Sequence, residues 1–168
     1  DGVGANQQGA AIFVPVTVTE STPITDIRVS VDATHSYVGD LLMQLQAPNG
    51  LGFSNIWART CNSAQFGNID VTFKDGESAI VCANPTVGTY APENAMSLFN
   101  GGNPSGVWNL VFVDFYNGDT VVVNEWSIEL CTTTTTVTLG TEDFELNNFA
   151  LYPNPNKGDF TLKFNSNS

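Results

Sequence analysis

The chain has 168 residues, room for one domain of ordinary size and a second, small one. Its 42% apolar content, with eleven Phe, four Tyr and three Trp, supports a packed core and excludes a disordered chain. Five Lys and Arg against seventeen Asp and Glu give a formal net charge of −12, which argues against nucleic-acid and membrane-surface binding and suits divalent cations.

No apolar run is long enough to insert in a bilayer. The first residue is Asp1, with neither an initiating Met nor a charged-then-apolar leader, so the chain reads as part of a longer one. Residues 11–21, AIFVPVTVTES, alternate apolar and polar positions, and Pro15 within the run predicts a sheet edge. The next strand is predicted at Ile24 to Ala33, with Ile24, Ile27, Val29 and Val31 facing inward and Arg28 and Ser30 facing water. His35 to Gly50, HSYVGDLLMQLQAPNG, brings a Gly-Asp step, a strand over Leu41 to Ala47 and a Pro-Asn-Gly turn.

A short apolar segment, LGFSNIWART, follows, then a loop punctuated by Gly67 and Asn68. Ile69 to Phe73 alternates again, Asp75 and Glu77 occupy a turn, and Ala79 to Cys82 is a short strand candidate. Residues 83–106 are rich in Pro, Gly and Asn and predict a long surface loop packed by Tyr90, Leu98 and Phe99. Val107 to Asp114 predicts a strand covered on both faces, and Asn117-Gly118 is a hairpin signal. Val121 to Leu130 returns with Trp126, Ile128 and Leu130 on one face and Glu125, Ser127 and Glu129 on the other. About eight short strands with no sustained helical period indicate an all-β fold, an antiparallel β-sandwich for which the jelly roll is the common arrangement.

After Cys131 the composition turns Thr-rich and then acidic, so residues 132–148 read as a linker. Residues 149–168 form a strand-turn-strand unit too small to stand alone, the start of a further domain. Three cysteines without a close-spaced pair argue against zinc. Cys61 and Cys82 flank a strand-like segment and are the expected disulfide. Cys131 is left either as a small buried apolar residue or as half of a bond outside this chain.

The residues that carry a family resemblance are His35-Ser36-Tyr37-Val38-Gly39-Asp40-Leu41, Ala47-Pro48-Asn49-Gly50, Phe73 to Glu77, and Gly88-Thr89-Tyr90 with Leu98-Phe99-Asn100-Gly101. They continue with Pro104-Ser105-Gly106-Val107-Trp108 and with Gly118-Asp119 followed by Asn124-Glu125-Trp126-Ser127. In this order they resemble the P domain that follows the catalytic domain in proprotein convertases and many secreted bacterial proteases. The resemblance implies a P domain over residues 1–131, with its core at 24–131, and a galactose-binding-like jelly roll. The tail, Leu151-Tyr152-Pro153-Asn154-Pro155 with Gly158 and Phe160, is similar to the start of the C-terminal domain that sorts Bacteroidetes proteins through the type IX secretion route.

Catalysis by this chain finds little support. His35 is the sole histidine, no Gly-x-Ser-x-Gly elbow exists, and no acid-base carboxylate pair can be singled out. His35 therefore reads as a residue that packs and hydrogen-bonds at the sandwich edge. Calcium is the better chemical candidate, because it takes six to eight oxygens from Asp, Asn and backbone groups in turns. The candidate ligands are Asp40, Asp75, Glu77, Asp114 and Asp119; the alternative is that these are solvated turn carboxylates. The resemblance adds that bacterial P domains commonly bind calcium, although Lys74 stands where many relatives carry Asp. Trp108 and Trp126 read as core, and Trp57 as an aromatic open to a surface contact. Two functions follow: a non-catalytic accessory domain packing on an adjoining protease domain of the same longer chain, secreted or at the cell surface; or an extracellular module that recognises glycan or matrix protein.

Overall fold

The computed structural model describes residues 2–133, 150–152 and 161–163. The chain divides into two compact units, Asp1–Thr134 and Thr135–Ser168. In the second unit β9 (Ala150–Tyr152) pairs antiparallel with β10 (Thr161–Lys163). The predicted linker and most of the Leu-Tyr-Pro-Asn-Pro segment lie outside the described residues.

The first unit is a β-sandwich of eight strands, β1 (Ile12–Val18), β2 (Ile24–Thr34), β3 (Leu41–Gln46), β4 (Phe53–Ala58), β5 (Ile69–Lys74), β6 (Thr86–Tyr90), β7 (Gly106–Asp114) and β8 (Val122–Thr132). Its two four-stranded sheets run β1-β7-β3-β4 and β6-β5-β2-β8, so the first two strands pair with the last two, one pair in each sheet. Period-two alternation puts Leu41, Met43 and Leu45 of β3 and Trp108, Leu110 and Phe112 of β7 on one inner face. Ile27, Val29 and Val31 of β2 and Val71 and Phe73 of β5 face them, and all belong to one buried cluster. Phe99 meets Trp108 edge-to-face at 5.4 Å between ring centres. Pro15 lies on β1, an edge strand that among the described residues pairs only with β7, and Val111 and Val113 on the outer side of β7 are also buried.

Four expectations are corrected. The β6-β5-β2-β8 sheet is mixed, because β6 runs parallel to β5. A parallel neighbour needs the chain to return along the strand first, and residues 75–85 make that return. Ala79 to Cys82 lies in this return, not in a strand, and Val81 is exposed there. The stretch expected to be one long loop contains β6 (Thr86–Tyr90), and its remainder is anchored by Met96 and Phe99 within a 3-10 turn, Met96–Phe99, while Leu98 is exposed. Trp57 is fully buried: a bulge between Met43 and Gln44 turns both Ile56 and Trp57 inward, and Trp57 Nε1 donates to Val38 O at 2.9 Å. Trp126 is half-buried against the core.

Cys61 and Cys82 form the expected disulfide, with a Cα–Cα distance of 5.4 Å. It ties the return segment to the loop after β4. Cys131 is a free, partly exposed thiol on β8.

Because Trp57 fills the core and Phe53 on the same strand is mostly exposed, their truncations should separate cleanly. Trp57→Ala is expected to cost about 3–5 kcal/mol and Phe53→Ala to stay within about 0.5 kcal/mol, as measured by urea unfolding.

Candidate metal centre

Strand registers decide which loop ends meet. Thr34 pairs with Val122 in one sheet and Leu41 with Asp114 in the other. The ends of β2 and β7 and the beginnings of β3 and β8 therefore share one end of the sandwich. His35 follows β2, a 3-10 turn over Val38–Asp40 leads into β3, Asp114 closes β7, and Asp119 sits in the loop before β8.

The backbone holds this end tightly. His35 N donates to Asn68 Oδ1 and Asn68 N to His35 O, both at 3.1 Å; Val38 N donates to Phe66 O at 2.8 Å and Phe115 N to Asp40 O at 3.1 Å. Gly39 explains the Gly-Asp step: a Cβ there would stand 2.6 Å from Asn62 Cα and 2.9 Å from Cys61 O, so only hydrogen fits where the loop after β4 crosses.

His35 is buried between two carboxylates, Nε2 at 3.4 Å from Asp114 Oδ2 and Nδ1 at 3.6 Å from Asp119 Oδ2. The Tyr37 N–H points at Nδ1 from 3.1 Å, which calls for the lone pair there and puts the neutral ring's proton on Nε2, facing Asp114. Asp114 Oδ1 also accepts from Tyr116 N at 3.0 Å, and Ser36 Oγ donates to Asp119 Oδ2. His35 thus positions carboxylates, as the edge-packing reading required, and its two nitrogens are already engaged.

Asp40 is buried beside them. Burial pushes its carboxyl above the ordinary carboxylate range, and the Asp114 and Asp119 charges push the same way, against the opposing pull of Arg59 and His35. Arg59 stacks over the Phe115 ring, 5.0 Å from its centre, and donates to Asn6 Oδ1. Three carboxylates against one guanidinium leave an excess of negative charge at a partly dehydrated site. A polar cleft of about 600 Å³, lined by Tyr37, Asp40, Arg59, Asn62 and Tyr116, opens beside them.

Of the five carboxylates singled out in the sequence, the fold brings Asp40, Asp114 and Asp119 together. Asp75 and Glu77 have other partners: Asp75 accepts from Met96 N at 2.9 Å and Ser97 N at 2.7 Å, capping that 3-10 turn, and Glu77 meets Lys74 at 3.5 Å. Arg59 went unnoticed in the sequence, since a lone basic residue after a short strand carries no local signal.

Comparison with known proteins agrees with this architecture. The proprotein convertase P-domain profile matches residues 24–130. The chain belongs to the proprotein convertase P-domain family. It is 28% identical over 125 residues to the transglutaminase-activating metalloprotease of Streptomyces mobaraensis, covering 71% of this chain and 13% of that protein. It is 25% identical over 113 residues to a calcium-dependent protease of a Nostoc species, covering 67% of this chain and 15% of that one. The P domain here thus corresponds to a small part of much longer, protease-related chains.

Two outcomes are expected. His35→Ala should cost about 1–3 kcal/mol in urea unfolding, because it removes a buried side chain that meets Asp114 and leaves the Tyr37 N–H without its acceptor. In chelator, Asp40→Asn should raise the melting midpoint by a few degrees near neutral pH. The folded-state pKa of Asp40 is raised, so the wild-type penalty is absent below the ordinary value of 3.8 and grows as the carboxyl ionises above it. The difference between the two proteins should therefore close as the pH is lowered through the carboxylate range.

Proposed function

We propose that this P domain is a non-catalytic accessory domain of a secreted peptidase, packing on and stabilising the catalytic domain of the same longer chain with calcium bound at the Asp40–Asp114–Asp119 end. The observation that carries it is the gathering of Asp114 and Asp119 around His35 at one end of the sandwich, with Asp40 buried where it feels both of their charges. The match to the P-domain family and to two proteases supports the peptidase context, and the name of the Nostoc relative, a calcium-dependent protease, supports the cation.

The residues fit calcium better than a softer metal. Ligand atoms of His35, Asp114 and Asp119 lie within 4.8 Å of one another, a span that two oxygens bound at about 2.3–2.6 Å to one ion can bridge. The ring nitrogens of His35 are occupied, which leaves a hard oxygen set. A divalent cation would offset both the burial of the Asp40 carboxylate, which raises its pKa most, and the added repulsion from Asp114 and Asp119. Asp75 and Glu77, already engaged, are outside the proposed set.

The Cys61–Cys82 disulfide fits an oxidising compartment outside the cell. Among the described residues no helix is long and apolar enough to cross a membrane. The Leu151-Tyr152-Pro153-Asn154-Pro155 segment supports a sorting role at the C-terminal end and the type IX route in a Bacteroidetes source.

Melting the chain in excess calcium and in chelator tests the cation. Calcium at a hundred times its dissociation constant should add about 2.7 kcal/mol. Asp114→Asn and Asp119→Asn should abolish the shift, and Asp75→Asn should keep it. An unchanged midpoint in calcium would sink the metal part. For the accessory role, deleting residues 24–131 from the full-length protein should shorten the lifetime of its peptidase activity at elevated temperature.

A further inference from the structure

The outer faces of the two sheets differ in charge. That of β6-β5-β2-β8 carries Arg28, Asp32, Asp70, Lys74, Glu125 and Glu129. That of β1-β7-β3-β4 carries no charged side chain at any of its paired strand positions, in a chain of net charge −12.

Two cross-strand rows build the uncharged face. One runs Phe13–Val111–Gln44–Asn55 and the other Pro15–Asn109–Gln46–Phe53. Gln46 Nε2 donates to Gln44 Oε1 at 2.7 Å, and Gln44 Nε2 donates to Asn55 Oδ1 at 3.0 Å. This relay fixes the amide orientations and leaves a second N–H on each donating nitrogen and a further lone pair on each accepting oxygen. Phe13 and Phe53, 55% and 57% exposed, stand at opposite edges of the sheet. Three strand spacings and a two-residue step along the strands separate them, about 16 Å.

We infer that this face binds a neutral polysaccharide chain laid across the strands from Phe13 to Phe53. Absence of charge matches an uncharged ligand and gives an anionic one nothing to pair with. Fixed amides offer donors and acceptors side by side, as hydroxyl-bearing rings require, and their prior hydrogen bonding lowers the ordering cost of binding. The two phenyl rings supply apolar platforms for the C–H faces of sugar rings. A protein partner fits less well, since protein interfaces concentrate their large anchors in a dry centre, whereas here the centre is amide and the aromatics are at the rims.

The test is depletion of the 168-residue chain from solution by suspended cellulose, chitin, β-1,3-glucan and starch, with polygalacturonate as the anionic control. Retention is expected on at least one neutral polymer and not on polygalacturonate. Phe13→Ala and Phe53→Ala should each weaken it roughly tenfold with the melting midpoint unchanged, and Leu98→Ala, at an exposed apolar site on the 96–99 turn, should leave it intact. Failure to bind any of the four neutral polymers overturns the inference, as does retention that survives the Phe13→Ala/Phe53→Ala double substitution. Capture of the parent's purified peptidase domain by the wild-type chain, lost in that double variant, would make this face a protein interface and overturn it equally.

Discussion

The contact between His35 and Asp114 is the tie on which the rest of this domain's architecture depends. His35 leaves the β2 end of one sheet and Asp114 closes β7 of the other, so the imidazole joins the two layers where their strands stop. Burial makes the tie demanding, because every polar atom of a fully covered ring and of its carboxylate must find a partner. The Tyr37 N–H serves the ring and the Tyr116 N–H the carboxylate, while two bonds to Asn68 hold the His35 backbone in place. With this end closed, the 38–40 turn has one path into β3, and Gly39 lets it pass beneath Cys61 and Asn62.

That closure concentrates charge. Asp40, Asp114 and Asp119 sit close enough to interact, and only Arg59 and His35 pull against them at Asp40. Lowered hydration strengthens each of these interactions, attractive and repulsive alike. An acidic end of this kind is a natural place for a divalent cation, and the proposed calcium role grows from that imbalance. The rest of the acidic surface is different in kind: Asp32, Asp70 and Glu125 lie across neighbouring strands in open water, where repulsion is weak and needs no relief.

Much of the fold was legible in the sequence. Alternation in β2, β3 and β7 named the inner residues correctly, Pro15 marked an edge, and the cysteines flanking β5 marked the disulfide. Errors arose where the local pattern was ambiguous. Trp57 follows a bulge that shifts the alternation by one, and a bulge is decided by the partner strand. Ala79 to Cys82 has the composition of a strand, yet it falls in the return that β6 needs to run parallel to β5. Among five turn carboxylates of similar appearance, three meet and two do not, and nothing near Asp75 in the chain announces that it will cap a turn 21 residues away.

The sequence by itself determined the all-β class, the faces of the long strands, the turns and the P-domain motifs. These follow from side-chain alternation and turn chemistry, which act over a few residues. Only the tertiary structure decided which loop ends converge, that β6 lies parallel to β5, and that the uncharged residues of four strands form one face. Such groupings depend on strand register, and the His35–Asp114 contact shows why: its partners are 79 residues apart, brought together only when two sheets have closed on a shared core.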